Sequence, residues 1–389
     1  MDLMRANAPQ RFVGPFLFGL CVLLGSPSCS SGTAPRNVGP LVAVTGLEGG
    51  RVAVIDVAAR RDVGRRGPML QPQSYSGISA ESTTVYYAGY NAAKALAVSA
   101  LNVRSNTVRW TRTVRAGEYE LPTGARVRIP GLPSFVTPAA DTSELLWYPV
   151  NHDRAIGVAR YRPSTDAMVG FLPIHLAAIH MNVLRGRGAL PKGTLVVCAT
   201  RQQTAQPRAN ALFFISPDLT VIDSIPLPPV GYEAYDVVVT SDERSAYVIA
   251  PPYLFRIDLA TRRVLAQVSS FAAGTLALSH SGELLIVTDP GFGLNAPSSG
   301  KIALYSLELE SRGTVDLRSL SPGGSPPTTW DAVTSIDGTL AYVLAGTTNI
   351  TLGQSPQRAS VFVVDLVRHA VTGRIPLDEF GVGRIFLLR

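Results

Sequence analysis

One short pattern recurs along the chain: a hydroxyl or small residue, a polar turn, then a strand that reaches a bulky apolar side chain. It occurs as Thr240–Tyr247 (TSDERSAY), Ser335–Tyr342 (SIDGTLAY), Ser279–Ile286 (SHSGELLI), Ser79–Tyr86 (SAESTTVY) and Ala140–Trp147 (ADTSELLW). The bulky positions fall at 86, 147, 247, 286 and 342, with a weaker counterpart near Val197, so the repeat averages about fifty residues, the length of one four-stranded blade. A unit of that size buries its faces only against its neighbours, so the repeat dictates an array or a ring. From residue 40 onward no helical period is sustained. Short β-branched runs alternate instead with turns rich in Gly, Pro, Asp and Ser. The 35 Gly and 29 Pro fit many short strands, and 46% hydrophobic against 16% charged residues supports a packed core. The expected fold is all-β.

A second repeat follows the first. Arg51–Arg61 (RVAVIDVAARR), Tyr253–Arg263 (YLFRIDLATRR) and Ser360–Ala370 (SVFVVDLVRHA) share alternating apolar residues, an Asp, then a turn. In these residues the chain resembles the YVTN and related WD40-like propeller family, whose blades carry V-x-V-I-D-x-x-T at this place. The resemblance spans residues 40–389 and is clearest in blades one, five and seven; Tyr161–Asp166 and Phe214–Asp218 depart from it. It implies a β-propeller, and counting gives seven blades, at 41–67, 74–114, 133–174, 180–227, 232–268, 273–320 and 328–377, with six or eight as the alternatives. The first unit begins directly on a second-strand sequence (Leu41–Thr45), while the chain ends on an orphan strand (Gly383–Arg389). Together they complete one blade and close the ring, which removes long exposed edges.

The N-terminus reads as an export signal. Arg5 and Arg11 supply a basic region and Phe12–Leu24 an apolar core too short to span a bilayer. Gly25–Cys29 and the polar run after it resemble a bacterial lipoprotein signal, although Ser26 stands where that signal usually has Leu. The resemblance implies a signal peptide at 1–28, lipidation of Cys29, a flexible tether at 29–39 and the propeller at 40–389. Simple cleavage near Ser28 is the alternative. Of three cysteines only Cys198 lies in the body, which excludes a disulfide framework and reads as a small core residue. Net charge is +7, yet the 35 basic residues are scattered singly, and all but Lys94, Lys192 and Lys301 are Arg. That lack of patterning argues against nucleic-acid binding.

In propellers the first strand of each blade lines the channel. Aligning the blades brings Tyr75, Asp236, Thr275, Asp331 and Arg384 to one mouth, with Val136 in blade three and Asn182 or His180 in blade four. Two acids and an arginine there could hold a polar ligand or a cation, or could simply pair with one another. His175 and His180, five apart, share no face of a strand or helix, so a two-His metal pair is not expected. The sequence has no nucleophile elbow, phosphate loop or haem-attachment motif, so no cofactor is expected. Two long loops, Asp289–Gly300 and Gly346–Ala359, belong to neighbouring blades and could form a shared lip. The expected role is a monomeric, non-enzymatic scaffold of the cell envelope, membrane-anchored through Cys29, that binds an envelope protein, a glycan or a small ligand. The alternative is a propeller enzyme: a lactonase, which calls for acidic and basic residues meeting at the mouth and which Asp236, Asp331 and Arg384 keep open, or a quinone-dependent dehydrogenase. Repeated Trp motifs mark the latter, and this chain has only Trp110, Trp147 and Trp330.

Overall fold

The computed structural model describes residues 40–71, 77–78, 82–113, 117–120, 124, 126–129, 137–138, 146–152, 155–174, 176–200, 208–230, 234–270, 274–291, 298–347, 357–381 and 383–388. All belong to one compact unit, Val38–Arg389. The expected signal peptide, the tether and Cys29 lie outside the described residues, as do Tyr75, Val136 and His175.

The chain is a seven-bladed β-propeller of four-stranded antiparallel blades. Blade two comprises Gly77–Ile78, Thr84–Tyr90, Leu96–Asn102 and Thr107–Thr113; blade three Thr137–Pro138, Leu146–His152, Ala155–Arg162 and Ala167–Pro173. Blade four comprises Ala177–Val183, Leu195–Thr200, Arg208–Ile215 and Val221–Val230; blade five Asp236–Val239, Ser245–Ala250, Tyr253–Asp258 and Arg263–Ser269. Blade six comprises Leu276–Leu278, Leu284–Val287, Lys301–Ser306 and Ser311–Asp316; blade seven Thr329–Thr334, Leu340–Thr347, Gln357–Asp365 and Ala370–Pro376. Blade one joins both ends of the chain. Its inner strand is Ile385–Leu388, paired antiparallel with Leu41–Val44 in the register Leu41 to Leu388 and Val44 to Ile385, and Val52–Asp56 and Arg61–Arg66 complete it. The expected closure is therefore present. An additional hairpin, Gly117–Glu120 with Arg126–Ile129, stands between blades two and three.

Burial falls from the middle strands to the rim. Leu195–Thr200 and Ser245–Ala250 are buried at every position, because both faces of the blade pack on neighbours, whereas Arg263–Ser269 alternates exposed and half-buried. The apolar clusters lie between blades: Phe214 and Phe255 join four and five, Tyr247 and Leu285 join five and six, and Leu344 and Ile385 join seven and one. Apolar burial of this kind, at about 25 cal/mol per Å², is what holds a ring together.

The turns explain the repeats. Between the third and fourth strands of every blade one residue takes the left-handed conformation, namely Arg60, Asn106, Asp166, Leu219, Arg262, Leu309 and His369. Beside each the ladder slips by one residue, as at Val54/Ile55 and Arg256/Ile257, the geometry of a type I turn closed by a bulge. The recurring Asp caps this turn: Asp56 Oδ1 accepts Ala59 N–H at 2.9 Å, and Asp258 Oδ1 accepts Thr261 N–H at 2.6 Å. Blades four and six use Ser216 and Ser306 instead, so blade four keeps the turn without the sequence motif. The first repeat is likewise a turn device, since Thr240, Ser279 and Ser335 hydroxyls accept the N–H of Ser245, Leu284 and Leu340 at 3.1, 2.9 and 3.0 Å. Trp147, Tyr247, Ile286 and Tyr342 are buried, but in blade two Tyr87 is the buried ring while Tyr86 is half-buried against Trp110.

Candidate functional site

Four of the five channel residues named above are brought together at the starts of the inner strands. Asp236 opens the inner strand of blade five, Thr275 precedes that of blade six, Asp331 lies in that of blade seven and Arg384 precedes Ile385 of blade one. Arg384 sits between the two acids, with Nη1 3.6 Å from Asp236 Oδ2 and Nε 3.4 Å from Asp331 Oδ2. Its Nη2 lies 3.0 Å from His180 Nε2, and His180 Nδ1 meets Asp236 Oδ1. A guanidinium can only donate, so Nε2 is the acceptor of that contact, and the Nδ1 side of the ring faces the Asp236 carboxylate.

Further contacts of the cluster reach neighbouring blades, while Asp236 Oδ1 also accepts Val237 N–H of its own strand at 2.8 Å. Asp236 accepts Leu276 N–H of blade six at 2.8 Å, and Asp331 accepts Ile385 N–H of blade one at 3.0 Å. Thr275 Oγ1 lies 2.9 Å from Trp330 O and 3.1 Å from Asp331 Oδ1. In blade four, Asn182 Nδ2 donates to Val237 O of blade five. The cluster is thus a clasp stitching blades four, five, six, seven and one.

Both carboxylates are buried, Asp236 at 0% and Asp331 at 4% exposure, yet their ionisation is pushed in opposite directions. Burial alone raises Asp236, but His180 and Arg384 outweigh it and hold that carboxyl below the usual range. At Asp331 burial wins: Arg384 and Ile385 N–H offset it incompletely, the Asp236 charge adds to it, and the carboxyl is pushed up. Hydrogen bonding agrees, because Thr275 has one hydroxyl proton for two acceptors and a proton on Asp331 satisfies both.

Of the alignment's two blade-four candidates, His180 belongs to the cluster and Asn182 to the neighbouring stitch. Cys198 is fully buried and its thiol is pushed up by burial, as expected of a core residue. Among the described residues no group of three or more His, Cys, Asp or Glu could hold a metal ion. The tryptophans serve packing: Trp147 lies under Arg160 at 5.5 Å, Trp330 Nε1 donates to Gly346 O at 3.0 Å, and Trp110 stands beside Tyr86. In the expected lip, Asp289 holds its own loop through Gly291 N–H and Ser299 N–H at 3.1 and 2.8 Å. Residues 292–297 and 348–356 of the two loops lie outside the described residues.

The sequence alignment did not bring forward the other end of the channel. There the loop after the inner strand of blade four and the first turns of blades five and six enclose a cavity of about 680 Å³, lined among others by Arg185, Arg187, Ser241, Glu243 and His280.

No family model matches the chain, and no curated protein matches its sequence. Solved structures do resemble it. A protein from Lactobacillus plantarum superposes with a TM-score of 0.58 at 13% identity, covering 90% of this chain and 100% of that one. The dihydro-haem d1 dehydrogenase NirN gives 0.58 at 13%, covering 88% and 74%. A Bacteroides fragilis protein proposed to be a 6-phosphogluconolactonase gives 0.55 at 13%, covering 92% and 99%. At this identity the likeness establishes the propeller fold and nothing about activity.

Proposed function

We propose that this chain is a monomeric, lipid-anchored propeller of the cell envelope that works as a binding scaffold rather than as an enzyme. The observation that carries the reading is the saturation of the clasp. A lactonase or any general acid–base site needs a carboxylate or imidazole with free capacity facing substrate. Here Asp236, Asp331, His180 and Arg384 direct that capacity at one another and at the backbone of adjoining blades. The anchor rests on the basic, apolar and Cys29 pattern of the first 29 residues.

Two measurements test the halves separately. Cells grown with radiolabelled palmitate are expected to label the wild-type protein and not Cys29→Ala; an unlabelled wild type overturns the anchor and leaves plain secretion. The purified mature protein is expected to leave the hydrolysis rate of 6-phosphogluconolactone at its buffer value. Turnover that disappears in Asp331→Asn overturns the scaffold.

A further inference from the structure

We infer that the cavity opposite the clasp is the ligand site and that it takes a carboxylated saccharide. This deepens the scaffold reading and rests on it. The cavity, about 680 Å³, lies within the range of roughly 300–1,000 Å³ that holds small ligands and is far larger than a bare anion requires.

The lining sets two arginines against two acids, and what it can recognise is decided by which of them have spare hydrogen-bonding capacity. Glu243 has both oxygens occupied by the backbone of the facing loop: it accepts Arg185 N–H, Arg187 N–H at 2.7 Å and Gly188 N–H at 3.4 Å. Asp242 is engaged within its own turn by Thr240 Oγ1 at 2.6 Å and Arg244 N–H at 3.1 Å. The donors are not engaged to match. Among the described residues the Arg185 guanidinium has no hydrogen bond or ion pair, Arg187 gives one N–H to Ser241 O at 3.3 Å, and the Ser241 hydroxyl is unengaged. A mouth with surplus fork-shaped donors selects a planar oxyanion, and a carboxylate matches that fork. Half-buried Val239, Leu278 and Leu307 line the same cavity and supply an apolar surface for the face of a sugar ring.

At this turn Glu243 also takes a left-handed backbone, as non-glycine residues do at several other turns of the ring. The left-handed position of this turn is Gly282 in blade six and Gly338 in blade seven, at φ 71° in both, but Glu243 at φ 56° in blade five. A side chain in that conformation costs energy that glycine avoids. The cost is met where the carboxylate locks the loop carrying Arg185 and Arg187.

The test is calorimetric titration of the mature protein with digalacturonate, its neutral counterpart galactobiose, and inorganic phosphate. Digalacturonate is expected to bind at least about tenfold more tightly than galactobiose, and to weaken about tenfold or more in Arg185→Ala/Arg187→Ala, the scale of a lost charge-assisted hydrogen bond. Glu243→Gly, which relaxes the backbone but frees the loop, is expected to weaken it too. Arg244→Ala, exposed on the same turn and outside the cavity lining, is expected to leave affinity unchanged. Equal binding of galactobiose, indifference to the arginine variants, or no binding of digalacturonate overturns the assignment; phosphate binding as tightly as digalacturonate overturns its saccharide part. None of these results touches the palmitate and lactone measurements, so failure here is separable from failure of the scaffold reading.

Discussion

Arg384 answers two buried carboxylates with one guanidinium, and the consequences differ by residue. Arg384→Met keeps the side chain's volume and leaves both acids without their cation; removal of one partner from a buried ion pair costs about 3–5 kcal/mol, to be read from urea unfolding. The two acids should separate by pH. Asp236 has its folded-state pKa depressed below the unfolded value, so its contribution is present above the ordinary carboxyl pKa of about 3.9 and is lost as pH falls through the folded value. Asp331 is raised, so its contribution is present below the ordinary value and is lost as pH rises through the folded one. Asp331→Asn should therefore destabilise less at pH 7.5 than at pH 5, while Asp236→Asn should be the more damaging substitution at neutral pH. Identical pH profiles for the two variants would contradict this division of charge. The acids and the arginine were legible in the sequence because blade alignment puts them in phase. Which group would join them from blade four was not: His180 and Asn182 are both polar members of one strand, and only the ring's geometry shows that the first reaches Asp236 and Arg384 while the second reaches the Val237 carbonyl.

At the scale of the element, turns carry more of the fold's specification than strands do. Strand composition here says apolar and β-branched almost everywhere, whereas the hydroxyl, the Asp and the left-handed residue fix where each hairpin reverses. Gly338→Ala should cost about 1 kcal/mol for the left-handed backbone, and more if the neighbour resists, because the new Cβ would lie 2.9 Å from Ser281 Oγ. Thermal melts against wild type would show it, and an unchanged Tm would mean that this turn does not restrain blade seven. The same logic separates what could be read from what could not. The Asp-capped turns of blades one, five and seven were evident, whereas blade four hides the same turn behind Ser216. The hairpin Gly117–Glu120 with Arg126–Ile129 escaped notice because two four-residue strands of mixed charge (GEYE, RVRI) lack the apolar run that marks a blade strand. Outer strands are the remaining liability of a ring, and Arg109 and Arg112 on exposed Thr107–Thr113 blunt one such edge.

For the molecule as a whole, the ring is closed by one short strand, Ile385–Leu388. In Ile385–Leu388 the alternation of faces puts Ile385 and Leu387 into the cluster shared by blades seven and one, and Leu388 into that shared by one and two. Arg104 of blade two donates to Leu388 O at 3.1 Å, and Thr45 N–H is held by Arg384 O at 3.0 Å. The strand is therefore bound on both faces and along its paired edge, and the residue just before it supplies the clasp's cation. Fully burying one aliphatic side chain contributes about 1.5–3 kcal/mol, so three of them together with the Arg384 ion pairs approach the whole stability of a typical protein, about 5–15 kcal/mol. A chain ending at residue 382 should consequently lose its cooperative melt rather than melt a few degrees lower, as followed by circular dichroism. Arg384→Met, which keeps the strand and loses only the charge, should retain a single transition at reduced Tm. A synthetic peptide of residues 383–389 added in trans should restore the transition in proportion to its concentration, because a ligand that binds only the folded state stabilises by mass action. If the truncated chain melts as the full one does, the blades hold one another without the closing strand, and the clasp would be a consequence of the ring rather than one of its causes.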